Sequence, residues 1–178
     1  MDYNLLATTE KNTMGAASSQ LWMNLRAIGD PVPKVNKTKI KGIIMAWTKL
    51  DPVEAIIKLR EHMAGEPERY DNLFRVLPIV TQVETIIDAI VSEVESQKEK
   101  IGEAESFRVT LEKRKTELRS LEVIEPVANI INREVNLCDP DWIVLIEIMG
   151  MTTGVSVIRP ECILNVQKER YRLSLKTD

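Results

Sequence analysis

The chain has 178 residues, 44% of them hydrophobic but only 4% aromatic, and a formal net charge of −3. That length suits one large domain or two small ones around a mostly aliphatic core. The negative balance excludes a uniformly basic, histone-like binder, so any affinity for a polyanion must come from local clusters of charge.

Met1-Asp2-Tyr3-Asn4-Leu5-Leu6 has neither the basic start nor the apolar length of a secretory signal. Residues 3–8 read as a short strand, and residues 16–28 as a helix with Leu21, Leu25 and Ile28 at helical spacing, ended by Asp30-Pro31. A short strand near Val32–Val35 and a longer one over Lys39–Thr48 follow. Asp51-Pro52 supplies an N-cap and a proline at the first helical position, and the helix behind it carries Val53, Ile56, Ile57 and Met63 on one face. With a strand over Leu73–Val83, residues 1–83 make a β-α-β-β-α-β unit of ferredoxin-like type.

Residues 84–178 form the second domain. A helix from Glu84 carries Ile86, Ile87, Ile90, Val91 and Val94 as its apolar stripe, and Phe107–Leu111 alternates as a strand. Ser120 can cap a helix reaching about Asn132, although Pro126 favours a start nearer Glu125. Trp142–Ile148 and Val155–Ile158 are strands joined by a turn in which Gly150 and Gly154 are the turn formers. The apolar run Trp142–Ile146 is far shorter than the roughly 20 residues of a membrane span. The charged residues from Lys168 to Asp178 continue as an edge strand or fray. The fold class is α+β, and the expectation is a cytoplasmic protein with no membrane partner.

The inventory for catalysis is thin. No Gly-x-Gly occurs, and no Lys-Ser/Thr follows Gly150 and Gly154, so the sequence offers no cofactor or phosphate-gripping signature. Cys138 and Cys162 lie far apart without a second ligand at metal spacing and read as buried thiols. His62, the single histidine, reads as a solvated helix position. Glu93, Glu95, Glu99, Glu103 and Glu105 read as a solvated charge face rather than a metal or acid–base set.

Two basic clusters stand out instead. Lys34, Lys37, Lys39, Lys41 and Lys49 fall in a stretch with no acid, and on a strand Lys37, Lys39 and Lys41 would share one face. Such a row either receives an anion or protects a sheet edge from aggregation. Arg108, Lys113, Arg114, Lys115 and Arg119 gather at a strand exit before the helix at Ser120, where backbone N–H groups and the helix dipole add to the side-chain charge.

The run Phe107 to Leu118, with Ser120 and Ile124-Glu125 after it, resembles the core of THUMP domains. Leu21–Arg26, Leu50–Glu54, Arg75–Ile79, Pro140–Val144 and Gly154–Val157 look more particularly like archaeal relatives of the tRNA acetyltransferase adaptor. The resemblance covers nearly the whole chain. It implies an N-terminal ferredoxin-like domain followed by an α/β THUMP domain, together gripping the acceptor stem and CCA end of tRNA. It also implies a non-catalytic adaptor without a cofactor of its own, whose partner is a separate RNA cytidine acetyltransferase that uses acetyl-CoA and ATP to form N-acetylcytidine. By motif, Arg108, Lys113 and Arg114 correspond to the family's basic strand end and Ser120 to its helix start. The alternative is an autonomous RNA-modifying enzyme with a site assembled from scattered residues such as Asp51, Glu147 and Arg159.

Overall fold

The computed structural model describes residues 2–176. The elements divide into two units between Pro78 and Ile79, and the chain rejoins the first unit from Glu161 onward. The expected boundary near residue 83 therefore falls five residues earlier, and the C-terminal segment leaves the second unit, to which the sequence reading assigned it.

In the first unit β1 (Leu5–Thr8), α1 (Met14–Ala27), β2 (Lys34–Lys37), β3 (Ile43–Trp47), α2 (Pro52–Gly65) and β4 (Arg75–Pro78) follow the expected alternation. Every neighbouring strand pair is antiparallel, in the order β4-β1-β3-β2, which is the ferredoxin-like arrangement. Helix α2 starts where the sequence places it: the Asp51 carboxylate accepts from the N–H groups of Val53 at 2.9 Å and Glu54 at 3.0 Å, with Pro52 behind it. Its buried stripe is Ala55, Ile56, Leu59 and Met63, and Ile57, expected inside, is exposed. These residues pack with Ala17, Leu21 and Leu25 of α1 onto Leu5, Ala7, Ile44, Ala46 and Val76 of the sheet.

Two expected strands are cut short for local reasons. Lys39–Gly42 forms a turn rather than the start of β3, because Gly42 adopts φ +83° and its Cα lies so near Thr9 that a Cβ would come 2.8 Å from the Thr9 carbonyl oxygen. The run Leu73–Val83 breaks after Pro78 into β4 and β5 (Thr81–Glu84), which belong to different sheets.

The second unit continues with α3 (Ile87–Gln97), β6 (Ser106–Arg114), α4 (Ser120–Asn129), β7 (Glu134–Val135), β8 (Trp142–Met149) and β9 (Thr152–Ile158). Its sheet has the order β5-β9-β8-β6-β7. Strands β6 and β8 are parallel, joined through α4 as a parallel pair requires, and β8 and β9 form an antiparallel hairpin. The apolar run of β8 is buried almost throughout because the strand is central. Ile90 and Val94 of α3 and Val123 and Val127 of α4 cover Phe107, Val144, Ile146, Ile148, Val155 and Val157. Helix α4 does not begin near Glu125. It runs from Ser120 with Pro126 inside, and the burial of Val123 and Val127 on one face offsets the roughly 3 kcal/mol that an interior proline costs.

Past Pro160, β10 (Leu164–Asn165) adds to the free side of β4, and α5 (Val166–Ser174) follows in place of the expected edge strand. The Asn165 side chain caps α5 by accepting from Lys168 N–H, and Arg60 anchors it by pairing with Glu169 at 2.7 Å. The part of that expectation that concerns Thr177 and Asp178 lies outside the described residues. No helix among the described residues is long and apolar enough to cross a membrane.

Gly150 turns the hairpin at φ +72°, but Gly154, the other expected turn former, lies inside β9. A Cβ on Gly154 would come 2.9 Å from both Cδ1 and Cγ2 of Ile79. Gly154→Ala should therefore lower stability by about 1–3 kcal/mol through overpacking, measured as a shift of the urea midpoint, and Ile79→Val should recover part of the loss.

Candidate nucleic-acid interface

Between residues 11 and 50 the chain carries seven bases, Lys11, Arg26, Lys34, Lys37, Lys39, Lys41 and Lys49, against one acid, Asp30. Asp30 is fully buried. Its carboxylate accepts from the Val32 N–H at 3.0 Å, the Thr48 hydroxyl at 2.6 Å and the Lys49 N–H at 3.0 Å. Burial alone would raise its pKa, yet the bonds from Thr48, Val32 and Lys49 outweigh it and hold the carboxyl below its ordinary value. The surface of this stretch is left to cations.

Lys34 and Lys37 project from β2, the outermost strand of its sheet, and Lys39 and Lys41 from the turn behind it; all four are exposed. Lys37, Lys39 and Lys41 thus do not alternate along one strand as expected. The turn collects them at one end of the edge instead. The Lys34 ammonium lies 5.5 Å from the Trp47 ring centroid, within cation–π range.

In the second unit the parallel pairing of β6 with β8 brings both C-terminal strand ends, the Gly150–Met151 turn and the start of α4 to one end of the sheet. The Gly150 N–H donates to the Arg114 carbonyl at 2.8 Å, and Lys113 Nζ to the Leu118 carbonyl at 2.8 Å. Lys113, Lys115, Arg119 and Ser120 are exposed there, and Lys115 opens the loop in the left-handed region at φ +57°. Ser120 is the first helical residue; the capping position belongs to Arg119, so the Ser120 hydroxyl is not the helix cap that was expected. The Glu122 carboxylate closes back on the Arg119 N–H at 2.7 Å, and that bond, chiefly, holds its carboxyl below the ordinary value.

Two members of the expected cluster lie elsewhere. Arg114 turns inward, its Nη1 2.7 Å from the carboxylate of Glu147, which is 1% exposed. Arg108 sits six residues earlier on β6, about 20 Å away at the strand rise, where it donates to the Leu137 carbonyl at 2.9 Å. The structure gathers Lys113, Lys115, Arg119 and Ser120, and separates Arg108 and Arg114 from them.

The opposite end of this sheet holds a network that the sequence reading missed. Glu105 accepts from the Gly102 N–H at 2.8 Å and the Trp142 indole N–H at 2.6 Å, and pairs with Arg159 at 2.7 Å, whose guanidinium lies 4.1 Å from the Trp142 ring centroid. The Gly102 bond, then the Trp142 and Arg159 bonds, draw its carboxyl from 4.5 down to about 2. Glu105 was expected on a solvated acidic face. Nothing in the sequence joins it to residues so far along the chain.

His62 also differs from expectation. It is half-buried, with Nδ1 2.9 Å from the hydroxyl of buried Tyr70, whose own hydroxyl donates to the Leu59 carbonyl. Cys162 is buried as expected, whereas Cys138 is exposed, because its loop is held from outside the core by the Asn136 side chain accepting from the Cys138 and Asp139 N–H groups. Among the described residues no group of three or more His, Cys, Asp or Glu side chains is placed to hold a metal.

No family model and no curated protein matches the chain. Solved structures do. The chain is similar to PH1313 from Pyrococcus horikoshii Ot3 at 20% identity, over 89% of this chain and 55% of that one, with a TM-score of 0.65. It is similar to TrmN from Thermus thermophilus at 18% identity, over 90% of this chain and 47% of that one, with a TM-score of 0.59. A 4-thiouridine synthetase, solved as an RNA complex with bound ATP, matches at 11% identity over 89% of this chain and 42% of its own, with a TM-score of 0.52. The chain thus spans about half the length of these proteins, and the likeness establishes the shared fold.

Two predictions follow from this geometry. Arg114→Ala removes the cation beside a buried carboxylate and should destabilise the protein by about 2–4 kcal/mol, measured by urea titration. Lys113→Ala and Lys115→Ala should each change stability by less than about 1 kcal/mol. The second concerns pH. Because the folded pKa of Glu105 is depressed, its stabilising effect is fully present above 4.5 and is lost as pH falls toward about 2. Unfolding followed by tryptophan fluorescence should show a loss of stability across that window, and Glu105→Gln should flatten it.

Proposed function

We propose that this chain is an RNA-binding module of THUMP type that holds tRNA by its acceptor stem and CCA end and presents it to a separate cytidine acetyltransferase. The observation that carries the reading is the segregation of charge. In a chain of net charge −3, a 40-residue stretch displays its cations without an exposed acid, and a second set, Lys113, Lys115 and Arg119, stands at a helix N-terminus. The N–H groups of Ser120 and Leu121 at that terminus have no acceptor among the described residues, a favourable place for a phosphate. Glu122, which pairs with the Arg119 guanidinium at 3.4 Å, limits how much negative charge can approach, so Lys113 and Lys115 must supply most of the attraction.

Two further facts support the reading. The motifs around Phe107–Leu118 resemble the THUMP core, and the fold is shared with a structure solved in complex with RNA. The residues of the enzymatic alternative have evident structural duties: Asp51 caps α2, Glu147 pairs with Arg114, and Arg159 covers Trp142. The chemistry then belongs to the partner, in the cytoplasm, and this chain contributes grip and position.

Affinity for tRNA should be strongly salt-dependent. With about five phosphates contacted, the slope of log K against log salt should lie near −3.5 to −4.5, measured by fluorescence anisotropy. Removal of the CCA end should weaken binding, and supplementing the acetyltransferase with the chain should raise N-acetylcytidine formation. A slope near zero would dismiss the two clusters as the electrostatic footprint, and turnover by the chain alone would favour the enzymatic alternative.

A further inference from the structure

We infer that the flank of α1 facing β2 is a binding site for an unpaired RNA base, with the indole of Trp22 as the stacking surface. The inference rests on the RNA-binding reading above and adds to it a site, a residue and a ligand class.

The orientation of α1 fixes which way Trp22 points. Ala17, Leu21, Asn24 and Leu25 face the core. On one flank the Asn24 amide donates to the Arg69 carbonyl at 3.0 Å, and the Gln20 side chain accepts from the Asn72 N–H at 3.0 Å, so that flank faces the segment leading into β4. At about 100° per residue Trp22 lies as far from Leu21 on one side as Gln20 does on the other. Strands β4 and β2 occupy opposite sides of the β1–β3 pair, and α1 packs along β2. Trp22 and Arg26 therefore stand over the β2 edge.

Trp22 is 44% exposed. Long helical side chains lean toward the N-terminus, which lays this ring over the preceding turn. That turn consists of Ser18 and Ser19, whose hydroxyls bond back to the Met14 and Gly15 carbonyls at 2.7 Å and 3.2 Å, so nothing bulky rises to cover the ring. The Arg26 guanidinium lies 5.5 Å from the ring centroid and is itself anchored on the Pro31 carbonyl. One side of the ring meets a cation, and close to half of the residue is open to solvent.

Charge selects the occupant. No acid occurs in α1, and the adjoining edge carries Lys34, Lys37, Lys39 and Lys41. A phosphate backbone crossing that edge would be held by the lysines, and a base swung out of it would find the indole. Stacking on an aromatic ring with cationic neighbours is how single strands are bound without sequence readout. A duplex keeps its bases stacked internally and cannot offer one to a ring on a convex helix surface.

The test compares labelled octa-adenylate, a duplex RNA of the same length and intact tRNA, titrated at low and moderate salt with the full chain. Trp22→Ala should weaken octa-adenylate binding about tenfold or more. Its salt slope and thermal midpoint should stay unchanged, and duplex binding should change less than about twofold. Trp22→Phe should keep most of the affinity, because a ring remains. Lys37→Ala with Lys39→Ala should instead lower the single-strand salt slope by about 1.4. If Trp22→Ala binds octa-adenylate as tightly as the wild type does, the base site is wrong and the flank is left for a protein partner, while the tRNA reading stands. If the wild type binds none of the three RNAs, both readings fall.

Discussion

The burial of Asp30 is the constraint from which the cationic edge follows. Its carboxylate gathers the Val32 N–H, the Thr48 hydroxyl and the Lys49 N–H, tying the exit of α1 to the end of β3. With that corner fixed, β2 lies against β3 in the register that sets Lys34 opposite Trp47 and Lys37 opposite Ile44. The carboxylate is satisfied by hydrogen bonds, not by an ion pair with a lysine ammonium. Lys49 adds only the last-ranked attraction to that carboxylate, so the mutual repulsion of Lys34, Lys37, Lys39 and Lys41 remains available to be relieved by an anion.

The second unit partitions its basic run by strand alternation and by the end of the strand. Arg114 is the last residue of β6, paired in register with Met149 of β8, and it reaches the buried carboxylate of Glu147. Lys113 and Lys115 on either side point away into solvent. A buried carboxylate beside a guanidinium is costly to break even where forming it gains little net stability, so Arg114 fixes the strand end from which its neighbours project. Adjacent cations thus take separate parts, one holding the platform and two standing on it.

Much of the architecture was legible because local rules agreed with the global fold. Asp51-Pro52 marked the start of α2, the period-two run marked β6, the continuous apolar run marked β8, and the alternation of elements marked the ferredoxin-like unit. The failures came where tertiary contacts decide. A continuous apolar run at Leu73–Val83 cannot reveal that its two halves enter different sheets, and an acid such as Glu105 gives no local sign of an indole and a guanidinium far along the chain. Pro126 misled in the opposite sense, since two buried valines outweighed a strong local breaker. Of the candidate site, the clustering of bases was visible in composition. Which of them gather at the strand end was not, because the far-end carbonyl that holds Arg108 and the buried carboxylate that draws Arg114 inward are brought to them only by folding.

On the proposed reading, a physical limit shapes how the chain can select its RNA. Contacts from lysine and arginine to phosphates position a nucleic acid without reading its sequence, and they would hold any RNA of suitable shape. Selectivity must then arise from features that distinguish one folded RNA from another, such as a helical stem that ends beside an unpaired strand. Lysines on an edge suit the stem and the backbone, whereas an exposed indole suits a freed base. Interactions of this type weaken steeply with salt and form at rates raised by long-range attraction. On the proposed reading, with the chemistry assigned to a partner, the grip must be specific enough to orient the RNA and weak enough to release it.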